Sequence, residues 1–378
     1  MKVSIIGPVY PYRGGIAQYN AMLARSLDAH QHPTQVISFR RQYPAWLYPG
    51  ASDKDPSQQT IQTQAEYLLD PFLPWTWQQA GTRIVQFHPD LVIIHWWTTF
   101  WAIPFAFINT LLNRKGLRVV YLIHNVIPHE QKPWDAWLAR LALGKGHAFI
   151  IQTDAEQERL RSILPGAVIR LCYHPVYHFS FGPLPTQSEA RERLGLDPEG
   201  IVLLFFGIVR PYKGLHVLLD ALALLRQSGL TAHLVIAGEF WEDKTAYLTK
   251  IKELNLTEQV KIEDRYIPNE ELGVLFSAAN ALVASYTSGT QSGVANLALG
   301  YGLHQIVSQV VADGIPPAYQ GDIQIVPPEN VEALAEAIQS FIQHPDRFKQ
   351  EKITTDESWT QLVGTIQNLA FDRPLEKR

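Results

Sequence analysis

Short apolar runs alternate with helix-period runs along the whole of this chain. In the first half VSIIG (3–7), TQVISF (34–39), LVIIH (91–95), RVVYLIH (118–124), HAFIIQ (147–152) and AVIRL (167–171) read as strands, being brief, β-branched and almost free of charge. Between them IAQYNAMLARSLDAH (16–30), WTWQQAGTRIVQF (75–87) and DAWLARLAL (135–143) carry the three-to-four-residue spacing of helices. The alternation begins again at IVLLFFG (201–207) and runs through AHLVIAG (232–238), QVKIE (259–263), ALVAS (281–285), QIVSQ (305–309) and IQIVP (323–327). Helical patterns such as GLHVLLDALALLRQ (214–227) and NVEALAEAI (330–338) fill the gaps. Parallel neighbours need a crossover and the helices supply it, so this order predicts α/β architecture with parallel sheets covered on both faces. Two such series, separated by the proline- and aromatic-rich HPVYHFSFGPLPTQ (174–187), predict two doubly wound, Rossmann-like domains and a hinge.

Three stretches stand outside this rhythm. The polar, proline-broken segment Arg40–Gln59 reads as a surface loop, and its Asp53-Lys54-Asp55 as solvated charge rather than a metal–diphosphate pair, because such a pair should close a strand. The tail DESWTQLVGTIQNLAF (356–371) reads as an amphipathic terminal helix, expected to pack back on the first domain. From Leu91 to Leu112 the chain runs 22 residues without a formal charge, long enough to cross a bilayer. His95, Asn109 and a mid-segment Pro104 argue instead for a buried strand followed by a packed helix. The aromatics of WWTTFW (96–101) read first as core, with a surface that touches lipid headgroups as the alternative.

Composition narrows the classes. A length of 378 residues suggests two domains, and 46% hydrophobic with 18% charged residues excludes a disordered tail or a fibre. The net charge of −4 offers no global positive field for nucleic acid. A single cysteine, Cys172, excludes an internal disulfide framework and a cysteine zinc cluster. The start MKVSIIGPVYPYRGG lacks the apolar core of a secretory signal, so a cytoplasmic location is expected.

In open parallel sheets ligands collect at the C-terminal ends of strands, where loops and helix N-termini present N–H groups. Four such ends carry candidate chemistry. GPVYPYRGG (7–15) lacks the dinucleotide-binding glycine spacing, but Gly14 and Gly15 before a helix allow close approach of a substrate, with Arg13 beside them. In FFGIVRPYKGLHVLL a strand ends at Gly207 and Arg210 and Lys213 flank a helix start near Gly214, a compact anion site suited to a diphosphate. YLIHNVIPHE (121–130) closes a strand with His124, followed by His129 and Glu130, and a histidine there can orient a sugar hydroxyl or donate to developing charge. ASYTSGTQSGVANLALGYG (284–302) ends a strand in a glycine- and hydroxyl-rich loop able to wrap a phosphate or polyhydroxy ligand. Each also has a plainer reading, respectively a permissive turn, solvated surface charges, a histidine satisfied by backbone, and polar turn chemistry. No His-Glu-x-x-His helix is present, and no metal site is expected.

At these motifs the chain resembles the family 4 glycosyltransferases, and the resemblance covers nearly the full length. It implies the GT-B fold: two doubly wound parallel-sheet domains facing a cleft, an acceptor-side domain over 1–178 with residues 355–378 packing back on it, and a donor domain over 185–352. FFGIVRPYKGLHVLLDAL resembles the family segment whose cations hold the donor diphosphate, which maps that role onto Arg210 and Lys213. IAGEFWED (236–243) resembles the next strand end and places Gly238 and Glu239 at the donor cleft. HNVIPHE resembles the histidine loop near the reacting sugar, and GPVYPYRGGIAQYN the opening glycine loop near phosphate and acceptor. SGTQSGVANLALGYG resembles the signature helix, with a departure: the two glutamates of the common form fall on Ser288 and Asn296. The segment is similar to a bacterial subgroup reading Thr-Gln-Ser-Gly, in which Asn296 takes the ribose, Ser288, Thr290 or Gln291 takes the sugar, and Ser292 and Gly293 begin the helix.

The resemblance implies a retaining, metal-independent transferase using a UDP- or GDP-sugar as substrate, with no further cofactor. Partners would be a glycan, lipid-linked or small-molecule acceptor, without nucleic acid, and with peripheral contact at the inner face of the membrane. Polysaccharide biosynthesis in a bacterium would be its setting, and domain closure would exclude water. Two alternatives stay open: an epimerase or phosphorylase on the same fold, and a catalytically silent glycan- or nucleotide-binding subunit, motivated by the missing carboxylates.

Overall fold

A computed structural model describes residues 1–48, 50–128, 132–179, 181–348 and 355–371, so His129 and Glu130 of the histidine loop lie outside the described residues. The chain divides into two compact units, each built around one parallel sheet. Residues 1–55, 61–173 and 356–378 form the first; residues 56–60 and 174–355 form the second. The change of unit thus falls at Tyr173/His174, and a five-residue piece of the polar segment belongs with the second unit.

The first unit contains β1 (Val3–Ile6), α1 (Gly15–Ala29), β2 (Thr34–Phe39), β3 (Ala65–Leu69), α2 (Pro74–Phe87), β4 (Leu91–Trp96), α3 (Ala102–Arg114), β5 (Val119–Ile123), α4 (Asp135–Leu143), β6 (Ala148–Ile151), α5 (Asp154–Ile163) and β7 (Ile169–Leu171). Its seven strands run in the order β3-β2-β1-β4-β5-β6-β7, all parallel. The second unit contains α6 (Gln187–Leu194), β8 (Val202–Phe206), α7 (Leu215–Gln227), β9 (His233–Ala237), α8 (Lys244–Glu253), β10 (Val260–Glu263), α9 (Asn269–Ala278), β11 (Ala281–Ala284), α10 (Gly293–Tyr301), β12 (His304–Ser308), α11 (Gln309–Ala312), α12 (Pro317–Gln320), β13 (Gln324–Val326) and α13 (Val331–Gln343). Its sheet runs β10-β9-β8-β11-β12-β13, again parallel. The last helix, α14 (Thr355–Phe371), buries Trp359, Leu362, Val363, Ile366 and Leu369 within the first unit. Trp359 lies 5.2 Å from the Tyr19 ring and Gln367 hydrogen-bonds His32 at 2.8 Å.

The uncharged run 91–112 is central strand followed by helix. All six residues of β4 are buried between β1 and β5. Pro104 sits in the first turn of α3, where its missing N–H breaks no helical bond. Among the described residues no helix is long and apolar enough to cross a membrane.

In the aromatic stretch 96–101 the two outer tryptophans are core, as a buried strand and packed helix require, and Trp97 and Phe100 are half-buried. Trp96 and Trp101 are fully buried, with their indole N–H groups donating to the carbonyls of Val126 (3.0 Å) and Gln42 (3.2 Å). Indole N–H groups that find carbonyl partners let the large rings be buried at no polar cost. The Asp53-Lys54-Asp55 segment is not simply solvated. It pairs with the opening loop: Tyr12 and Lys54 form an antiparallel bridge, Asp55 N–H donates to Pro11 O at 2.8 Å, and the Lys54 ammonium lies 3.5 Å from the Tyr12 ring centroid. Asp55 is only 8% exposed.

Candidate active site

A doubly wound sheet has one place where consecutive connections leave in opposite directions, and loops part there to leave room for a ligand. In the second unit it lies between β8 and β11, and three of the sequence candidates meet at it. Gly207 ends β8 with φ +95°, and a Cβ there would stand 2.9 Å from Lys213 Nζ and 3.3 Å from Val294 Cγ2. Lys213 therefore arches back over the strand end, beside the first residues of α10. Gly214, with φ +68°, passes so close to β11's end that a Cβ would meet Ser285 O at 1.9 Å, and Ser285 Oγ donates to Gly214 O at 2.8 Å. Gly238, closing β9, passes equally close to Gly207: its Cβ would stand 2.1 Å from Gly207 O. Gly214 and Gly238 are needed because backbone meets backbone at each, and Gly207 because its backbone is left-handed and a side chain would crowd Lys213.

Lys213 is 7% exposed, and no carboxylate among the described residues lies within ion-pair distance of its ammonium. Its ammonium lies over the Tyr286 ring, 5.6 Å from the centroid. Burial, with Arg210 adding repulsion, holds its pKa below the ordinary lysine value. A buried cation without a counter-ion is costly, so its pocket is ready for an anion. The start of α10 supplies further donors. Ser292 caps it by accepting from Ala295 N–H (3.3 Å) and hydrogen-bonds Tyr286 OH (3.1 Å), while the N–H groups of Gly293 and Val294 have no partner among the described residues. The first turn of α10 comes up beside Lys213 because β8 and β11 are neighbours.

The other second-unit candidates lie around this point. The Arg210 guanidinium stacks over Trp241, 5.4 Å from its ring, and Glu239 accepts from the Trp241 indole at 2.8 Å. Thr290 is buried with its hydroxyl unpartnered, Gln291 is half-buried, and Ser288 is exposed on the loop. Asn296 is fully buried in α10: its Nδ2 donates to Ser292 O at 3.3 Å and its Oδ1 has no partner.

In the first unit the corresponding switch lies between β1 and β4. Gly14 (φ +103°) caps α1, and a Cβ on Gly14 or Gly15 would meet nothing within 4 Å, so the approach to α1's first turn is open. Arg13 is turned away onto Tyr48, donating from Nε at 2.7 Å. His124, the first residue beyond β5, is buried and its Nε2 lies 3.0 Å from His95 Nδ1. The sequence reading missed His95, Tyr286 and Trp241. His95 looked like strand core, and only the pairing of β4 with β5 places it beside His124. Among the described residues no group of three or more His, Cys, Asp or Glu side chains is arranged to hold a metal ion.

Two parallel-sheet units of this kind are the architecture of solved glycosyltransferases, and the family models match the same class. Residues 14–176 match the model described as glycosyl transferase 4-like domain, and residues 200–344 the one described as glycosyl transferases group 1. The two stretches take in most of the chain, one in each unit, and the chain belongs to the glycosyltransferases of the GT-B fold. D-inositol 3-phosphate glycosyltransferase 1 of Catenulispora acidiphila is 29% identical over 204 residues, 51% of this chain and 46% of that protein. Alpha-D-kanosaminyltransferase of Streptomyces kanamyceticus is 33% identical over 111 residues, 28% of each. The chain thus spans about half the length of the curated relatives it matches, or less. Among solved structures, sucrose-phosphate synthase from Thermosynechococcus elongatus has a TM-score of 0.71 at 17% identity, over 98% of this chain and 99% of that one. HepE of Anabaena in complex with UDP-glucose has a TM-score of 0.72 at 15% identity, over 97% and 100%. At such identities the likeness is one of fold.

Proposed function

We propose that the protein transfers a sugar from a nucleotide-activated donor, with retention of configuration, to a glycan, lipid-linked or small-molecule acceptor. The observation that carries this is the buried Lys213 ammonium, without a carboxylate partner among the described residues, beside the N–H groups that open α10, likewise unpaired among them. A diphosphate satisfies all of these donors at once. Arg210 adds a second cation, and the buried Oδ1 of Asn296 and hydroxyl of Thr290 are acceptors that sugar or ribose hydroxyls would satisfy. UDP is favoured over GDP because HepE, of the same fold, was solved with UDP-glucose.

In the reaction the bond between the anomeric carbon and the diphosphate oxygen breaks, and Lys213, Arg210 and the α10 amides take up the growing negative charge. The acceptor hydroxyl attacks from the leaving-group face, and its proton passes to the departing diphosphate oxygen. Those cations carry the leaving-group charge, so the reading needs no resident metal. His124 stands on the acceptor side as a hydrogen-bond donor to the reacting sugar.

A thermal-shift panel of nucleoside diphosphates and their sugars tests the donor half, since a ligand at 100 times its Kd stabilises by about 2.7 kcal/mol. UDP and a UDP-sugar are expected to raise the melting temperature. His124→Ala should keep that shift and lose transfer. No shift with any nucleotide would remove the donor reading, and binding without transfer to any acceptor would leave a silent nucleotide-binding subunit.

The acceptor side includes a membrane surface. Helices α2, α3 and α4 pack side by side, and near their N-terminal ends they expose Trp75 (65%), Trp134 (55%) and Trp137 (64%), with Ile103 and Phe72. At that end the Lys132 ammonium lies 5.7 Å from the Trp134 ring and the Arg41 guanidinium, paired with Asp70, 5.5 Å from the Phe72 ring, and the one carboxylate of these helices, Asp135, is buried and accepts from Thr99 Oγ1 and Lys132 N–H. Exposed tryptophans beside cations suit a bilayer interface containing anionic lipid. The protein should float with phosphatidylglycerol-containing vesicles, and Trp75→Ser with Trp137→Ser should release it. Equal flotation of the variant, or none by the wild type, would remove the membrane from this reading.

A further inference from the structure

His95 has no role in the reading above, yet it is the most enclosed titratable group at that end of the first sheet. It is fully buried on β4, and Nδ1 is in hydrogen-bond contact with His124 Nε2 at 3.0 Å. Its other nitrogen, Nε2, is buried without a partner. The ring planes differ by 24° with centroids 5.3 Å apart, so the two nitrogens meet edge to edge, near the plane that holds each N–H bond and lone pair. Tyr19 of α1 packs edge-on against both rings, at 5.8 and 5.1 Å, and limits their rotation.

A neutral imidazole carries one proton, which leaves His95 two arrangements. With the proton on Nδ1 it donates to His124 and leaves a bare lone pair at the buried Nε2. With the proton on Nε2 it accepts from His124 and leaves a buried N–H with no acceptor among the described residues. Buried donors without acceptors are the rarer defect, because each forfeits its hydrogen bond to water. The doubly protonated form is absent at neutral pH, since burial pushes His95 down to about 3.

We infer that His95 is a positioning residue for His124: its Nδ1–H donates to His124 Nε2 and fixes His124 as the Nδ1–H tautomer. His124 Nε2 then cannot take up a proton unless His95 reverses. The functional consequence rests on the proposed role of His124 at the reacting sugar; the tautomer itself does not.

Long-range proton–nitrogen NMR of the full chain labelled with nitrogen-15 histidine tests this, with His124→Asn assigning the signals. The wild type should show His124 protonated at Nδ1, the opposite of the Nε2–H form that predominates for histidine in water. His95→Leu should return His124 to Nε2–H and lower kcat about 10- to 100-fold, with the KM for the nucleotide sugar unchanged. His95→Asn keeps a donor near the Nδ1 position and should restore the Nδ1–H signature and most of the turnover. Nε2–H on His124 in the wild type, or an unchanged tautomer in a folded His95→Leu protein, would overturn the inference. Should His95→Leu fail to fold, the wild-type spectrum and His95→Asn still decide. If the tautomer is found but no transfer is detected with any donor, the proposed function fails and this assignment stands.

Discussion

Lys213→Ala is expected to weaken UDP binding roughly 10- to 150-fold, the equivalent of about 1.5–3 kcal/mol for a hydrogen bond to a charged group. Turnover should fall further, because charge on the diphosphate grows as the glycosidic bond breaks. The same substitution separates function from stability. The ammonium is buried with no carboxylate partner among the described residues, so it costs the unliganded protein free energy. Lys213→Met, which retains the aliphatic bulk, should therefore leave the unliganded melting temperature unchanged or raise it, while abolishing the UDP-induced shift. A lysine with a purely structural role would behave in the opposite way. The pH dependence has a definite sign. Burial sets the Lys213 pKa below 10.5, so rising pH discharges the ammonium earlier than an ordinary lysine, and UDP affinity should begin to fall correspondingly early. Calorimetry on Lys213→Ala that returned the wild-type affinity would end the assignment of this pocket to a diphosphate.

Gly214→Ala should be the most destabilising single-methyl addition in the second unit. Its backbone is left-handed at φ +68°, which costs an alanine about 1–2 kcal/mol. The added Cβ would also stand 1.9 Å from Ser285 O, so the α7 start and the β11 end must separate. A combined loss above about 4 kcal/mol is expected, placing the variant in the small class of severe substitutions. Separation would also carry Lys213 away from α10, so any folded fraction should bind UDP weakly. Urea denaturation checks the first point and calorimetry the second. Gly15→Ala is the matching control: its Cβ meets nothing within 4 Å and it begins α1, so stability should hold or rise by about 0.5–1 kcal/mol. A wild-type denaturation midpoint for Gly214→Ala would show that the two loops do not press on each other.

Legibility from sequence followed burial. Strands buried on both sides, such as LVIIH and TQVISF, announced themselves as apolar runs and lie within or match β4 and β2. The strand AEYLL did not. As β3 it pairs only with β2 at the sheet edge, where Glu66 can accept from Gln35 at 3.0 Å, so its pattern has no need to be apolar. WWTTFW is the densest aromatic cluster in the sequence, yet its Trp96 and Trp101 are core, and the exposed tryptophans among the described residues are Trp46 (81%), Trp75, Trp134 and Trp137. Density of aromatics along the chain does not distinguish core from surface, since that depends on which neighbours cover them.

Local residue order, then, was enough for the alternation of strands and helices, the existence of two parallel sheets, and the glycine, arginine, lysine and histidine types at strand ends. These follow from short-range periodicity and turn chemistry, which are properties of neighbouring residues. Strand order was beyond it, and with it the company each end residue keeps. Lys213 and Val294 both come up against Gly207 because β8 lies beside β11, and His95 meets His124 because β4 lies beside β5. Residues so distant in sequence become neighbours only when long-range packing chooses which strands adjoin, and no local pattern encodes that choice.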